Sequence, residues 1–65
     1  MLANVRVVFV IQLKNSGLFL NSDCHPVRSL RLAGRAPDYD NAVETARWEF
    51  PGEEVEIHRI VELVE

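Results

Sequence analysis

Apolar and polar residues alternate along "NVRVVFVIQLK", so that Val5, Val7, Phe9, Ile11 and Leu13 fall on one face of an extended chain. β-Branched and aromatic side chains dominate the stretch and suit a pleated, half-buried surface. The other face carries Val8 and Val10 beside Arg6 and Gln12, which predicts a central strand partly covered on both sides. "KNSG" then supplies Asn15 and Gly17, residues that take a positive φ at little steric cost, and "LFLN" returns as the second strand of a hairpin. A four-residue loop pairs Leu13 with Leu18 and sends Leu18 and Leu20 to the core. A three-residue loop with a bulge at Gly17 brings Phe19 inward instead, and the pattern leaves both registers open.

The next segment, "NSDCHPVRSLRLAGRAP", is punctuated by Pro26, Gly34 and Pro37. Leu30 and Leu32 alternate with Ser29 and Arg31, so a short third strand is expected over 28–32. The period then changes. In "DYDNAVETARWEF" the residues Tyr39, Val43, Ala46 and Phe50 recur at helical spacing and define one apolar face. Asp38 or Asp40 can cap this helix, because a carboxylate accepts from the free N–H groups of the first turn and suits the positive end of the dipole. Pro51 and Gly52 end it. Val55, Ile57, Val61 and Leu63 alternate along a last strand, with Arg59 as the polar interruption on that side.

The expected fold is a single α+β domain over 1–65: a small, mostly antiparallel sheet of three to four strands with one helix packed on one face. A chain of 65 residues buries a modest core. Nearly half of its residues are apolar, which suits a folded protein. The longest apolar run, 7–11, is too short to span a bilayer, so no membrane association is expected. One cysteine, Cys24, allows no internal disulfide and fits a reducing cytoplasm.

The formal charge of −3 hides a division: residues 1–37 carry +4 and residues 38–65 carry −7. Six of the last seventeen residues are glutamate. Two readings follow. In the first, the acids cap the helix and keep a strand at the sheet edge from pairing with other chains. In the second, Asp38, Asp40, Glu44, Glu49, Glu53, Glu54, Glu56 and Glu62 form one negative surface that resembles a phosphate backbone to a basic groove. Trp48 is the candidate apolar anchor for that surface, lying roughly 140° from Val43 on a helical wheel. If the helix frays before Pro51, the indole folds onto the end of the sheet instead.

The "VIQLKNSGLFLNSD" hairpin, the "YDNAVETA" helix start and the closing "FPGEEVEIHRIVEL" strand together resemble many small proteins encoded by phages and prophages. The resemblance covers most of the chain. It implies a non-enzymatic inhibitor of host machinery, anti-CRISPR proteins being among such inhibitors, acting in a bacterial host cell.

Enzyme chemistry finds little support in the residues. Glycines at 17, 34 and 52 build no phosphate-cradling loop. Cys24, His25 and His58 are too few for a closed zinc site, so neither metal nor cofactor is expected. Nothing marks a partner or an oxyanion site that would activate Cys24. A domain this small is also expected to lack a concave site of about 300 Å3, the lower end for ligand pockets. Arg28, Arg31 and Arg35 form an acid-free basic segment that could neutralise phosphates. The acidic whole and the missing interleaved aromatics disfavour direct nucleic-acid binding. The expectation is therefore a DNA-mimicking inhibitor that binds a basic host protein, such as a nucleic-acid-binding subunit of a defence complex. The alternatives are a nucleic-acid-binding accessory protein using the three arginines, or a self-associating structural protein.

Overall fold

The computed structural model describes residues 4–64. Strand β1 (Asn4–Leu13) is followed by two short strands, β2 (Phe19–Leu20) and β3 (Pro26–Val27), by a 3₁₀ turn at Leu30–Leu32, by helix α1 (Tyr39–Glu49) and by strand β4 (Val55–Val64). The four strands form one antiparallel sheet in the order β3-β2-β1-β4, and α1 lies on one face of it. The α+β architecture expected from the patterning is the one observed. β1 is central, as its two apolar faces require.

The hairpin takes the four-residue loop. Leu13 N–H donates to the Leu18 carbonyl over 2.8 Å, Gln12 stands opposite Phe19, and Leu20 is buried on the helix side. Gly17 provides the positive φ of 76° that closes the turn. The third strand lies earlier than the leucine alternation indicates. Residues 26–27 pair with β2, whereas Leu30–Leu32 wind into a 3₁₀ turn capped by the Ser29 hydroxyl. Neither leucine is buried, so the alternation had no sheet face behind it. Gly34 lets the chain turn back against the sheet: a Cβ there would meet the backbone of Asn21 and Ser22 at 3.0 Å. Ala36 then exchanges two backbone hydrogen bonds with Phe9.

Asp38 is the N-cap of α1, its carboxylate accepting from Asn41 N–H over 2.7 Å. Asp40 sits in the first turn. Asp38→Ala is expected to lower stability by about 1 kcal/mol, a usual cost for a lost cap, as read from urea unfolding. An unchanged midpoint would contradict the capping role.

The apolar face of α1 is turned by roughly 50°, about half a residue, from the predicted one. Ala42 and Ala46 are the buried positions, Val43 and Phe50 are half-buried, and Tyr39 is exposed while its ring meets Phe9 edge-on. Small alanines let the helix axis approach the sheet closely, and larger neighbours flank the contact. The core beneath the helix comprises Ile11, Leu13, Leu20, Ala42 and Ala46, with Phe9, Phe50, Val55 and Ile57 packed against it.

All of these lie at one end of a long ribbon. β1 and β4 pair over ten positions, from Asn4–Val64 to Leu13–Val55, and the molecule measures 45 × 23 × 18 Å. The helix covers only the half near Leu13. At the other half Val5, Val7, Val61 and Leu63 remain exposed on the helix side of the sheet. On the opposite face Val8 is buried and Val10 is wholly inaccessible at 0 %.

Candidate functional site

Each acidic residue of the expected surface has a definite place. Asp40, Glu44 and Trp48 recur every four residues, so each advances only about 40° around α1. Their stripe lies on the side away from buried Ala42 and Ala46. All three are exposed, and Trp48 is 84 % accessible. The helix runs without fraying through Glu49, which holds the indole away from the core. Phe50 N–H still donates to the Ala46 carbonyl at 2.9 Å, so the last turn is closed before Pro51 bends the chain. An exposed indole of this degree is uncommon, since tryptophan is highly buried on average.

Asp38 stands beside the stripe at the helix start, and Glu53 and Glu54 are exposed in the turn that follows α1. Glu49 points elsewhere. It lies roughly 140° around α1 from Glu44, on the side of Ala42 and Ala46 rather than on the stripe. Glu56 and Glu62 stand opposite Gln12 and Arg6 in β1, on the sheet face that the helix does not cover. The eight carboxylates therefore do not form one continuous flank. Asp40 and Glu44 stay together on α1, Glu49 lies apart from them, and the strand set faces away.

Glu62 is also neutralised. Its carboxylate accepts from Arg35 Nε at 3.2 Å and Arg6 Nε at 3.3 Å, with the matching Nη2 atoms at 3.1 and 3.2 Å. Arg35 further donates to the carbonyls of Leu30 and Ala33. This arginine ties the 3₁₀ segment to β4, while Arg28 and Arg31 remain exposed. The basic segment of the sequence is thus divided between two solvated arginines and one structural one. Sequence spacing could not reveal this, because Arg35 and Glu62, 27 positions apart, are brought together only by the sheet.

The hydrogen bond from Arg35 holds the Glu62 carboxyl below its ordinary pKa; burial opposes it, and the Arg6 hydrogen bond and the two guanidinium charges add smaller downward contributions. A carboxyl shifted down on folding stabilises above its unfolded pKa, near 4.3, and the gain is lost as pH falls through the folded value. The stability difference between the wild type and Glu62→Gln should be constant above about pH 5 and close as pH drops below about 4. A gap that persists at low pH would show that the ion pairs are not its source.

Two concavities lie beside the helix. One, of about 180 Å3, includes Phe9, Cys24, Arg35, Asn41 and Thr45 in its lining. Cys24 adopts a left-handed φ of 61°, and burial, then the charges of Glu49 and Asp23, push its thiol up, so it stays protonated at neutral pH. A thiol in that state is a poor nucleophile. The other is an open groove of about 510 Å3 between α1 and β4, walled by Val43, Phe50, Val55 and Ile57, with Arg47 and Glu53 at its rim. This groove exceeds the size expected of so small a domain. It arises because alanines at 42 and 46 set the contact, leaving Val43 and Phe50 to overhang the sheet edge.

Among the described residues no three His, Cys, Asp or Glu side chains gather as a metal site. No described helix is long and apolar enough to cross a membrane. Comparison with protein-family models, with curated proteins and with solved structures finds no match for this chain.

Proposed function

We propose that this chain is a small non-enzymatic binding protein that presents the outward stripe of α1 to a basic protein partner. The concrete form of the reading is a phage or mobile-element inhibitor of a host nucleic-acid-binding protein, anti-CRISPR-type mimicry of DNA included. The observation that carries it is the exposed indole of Trp48, one turn beyond Glu44 and two beyond Asp40. A solvated tryptophan gains most from burial when a partner covers it, and tryptophan is enriched among the residues that dominate interfaces. Carboxylates around it steer a basic surface into register and raise the association rate more than the affinity. Asp38, Glu53 and Glu54 extend the negative rim at either end of the helix.

The experiment uses carboxamide substitutions that keep shape and remove charge. In an affinity capture from bacterial lysate followed by titration of the captured protein, Asp40→Asn/Glu44→Gln should slow association several-fold and flatten the salt dependence. Glu56→Gln, on the far sheet face, should change neither. Equal effects from both variants would contradict a site on the helix.

A further inference from the structure

β4 is the end strand of the sheet. In β1, Phe9 and Leu13 direct their N–H and C=O groups away from β4, to Ala36 and to the 17–18 turn. Even-numbered residues of β1 therefore bond to β4, and their partners there are Glu56, His58, Ile60 and Glu62. The intervening residues Val55, Ile57, Arg59, Val61 and Leu63 turn their main-chain groups outward along the free edge. Natural edges are usually blunted by proline, a bulge or lysine. β4 has no proline, and its ten-residue register is unbroken. Its glutamates give little protection, because Glu56 and Glu62 project onto the sheet face and Glu62 is neutralised by Arg6 and Arg35. The same strand leaves Val61 at 54 % and Leu63 at 74 % accessibility.

We propose that two copies of this chain pair edge to edge through β4, antiparallel, about a two-fold axis at Ile60. An axis normal to the sheet keeps each residue's face, so only residues of like parity stand opposite one another. Centred on Ile60, the pairing sets Leu63 against Ile57 of the second copy, Glu62 against His58 and Val61 against Arg59. Centred one position earlier, it opposes Arg59 to Arg59 and Glu56 to Glu62. Centred on His58, it opposes Glu54 to Glu62; centred on Val61, it opposes Leu63 to Arg59 and Glu62 to Ile60. Registers centred on Val61 or Ile57 also avoid like charges, but the first sets Leu63 against Arg59 and the second leaves Leu63 beyond the paired strand, whereas the Ile60 register covers Leu63 with an apolar partner.

That register also places Leu63 of each copy at Ile57, the wall of the other copy's α1–β4 groove. The exposed side chain of one copy thus meets the open apolar groove of the other, twice by symmetry, as an isologous interface requires. About eight backbone hydrogen bonds close the joint. Both helices lie on one face of the extended sheet, and their Asp40–Glu44–Trp48 stripes remain free. The inference does not depend on the function proposed for that stripe.

Sedimentation equilibrium of the full chain tests it. The expected result is a dimer of twice the 7.4 kDa chain mass at micromolar concentration. Leu63→Lys should weaken it at least about tenfold with unchanged circular dichroism, since the side chain is exposed in the single copy. Register is read by cysteine. Opposed residues 60 are a non-hydrogen-bonded pair with Cα atoms about 4.5 Å apart, within disulfide reach. Cys24→Ser/Ile60→Cys should therefore cross-link under mild oxidation, while Cys24→Ser/His58→Cys should not. A monomer up to millimolar concentration, a dimer indifferent to Leu63→Lys, or equal cross-linking at 58 and 60 would overturn the proposal. A monomer that instead adds a foreign extended peptide to β4 would overturn it too.

Discussion

Replacing Ile11 with alanine is expected to remove about 3 kcal/mol of stability, the middle of the range for deleting a buried isoleucine or leucine side chain. A domain of this size has roughly 3–10 kcal/mol in total, so the variant should lie close to its unfolding transition at room temperature. Ile11 is buried in the same cluster as Leu13, Leu20, Ala42 and Ala46. The neighbours most able to collapse into the space are themselves alanines in a rigid helix, which keeps the cavity open. Val7 provides the contrast. It occupies the same face of the same strand, yet the helix does not reach it and it remains exposed. Val7→Ala should cost under about 0.5 kcal/mol, as surface substitutions do. Urea midpoints measured at one protein concentration would compare the two. Similar losses at both positions would mean that the apolar face is covered along its whole length.

The second large effect concerns binding rather than folding. Trp48→Ala should weaken the complex with a basic partner by about 2 kcal/mol or more, roughly thirtyfold, the scale of an interface hot spot. The same variant should leave the urea midpoint within about 0.5 kcal/mol, because a side chain 84 % accessible contributes little to the core. Separation of the two readouts is the point of the variant. Loss of both would assign Trp48 to folding.

How much of this was legible in the sequence follows from which interactions are local. Alternation over β1 and β4 and the cap-to-proline span of α1 are set by neighbours in sequence, and they predicted the elements and the sheet. The helical period also placed Trp48 away from the apolar face, and the helix continues far enough for that geometry to hold. The pattern could not say where the helix stops covering the sheet. Val5, Val7, Val61 and Leu63 look in sequence like Ile11 and Ile57, and only the placement of α1 separates exposed from buried members. Leu30 and Leu32 imitate a strand because alternation is scored without knowing whether a partner edge exists. The grouping of eight carboxylates treated charges near in sequence as near in space. Strand pleating sends Glu56 and Glu62 to the far face, and Arg35 arrives there through the Ala36–Phe9 bridge.

The two surfaces occupy different parts of the fold. The helix stripe offers charge with one aromatic anchor, which suits a polar, basic partner. The β4 edge offers backbone hydrogen bonds and aliphatic side chains, which suit another extended strand. Because the stripe and the edge do not overlap, a paired protein would present two stripes at once. Binding to a partner with repeated sites would then gain from a high effective concentration of the second stripe.

The most direct test of the functional reading is a paired affinity capture from bacterial lysate, with wild type and Trp48→Ala as baits at low salt. The account predicts that the wild type retains a basic protein which high salt releases, and that the Trp48→Ala bait, equally folded, fails to retain it. Equal retention by the two baits, or capture of acidic proteins alone, would contradict it.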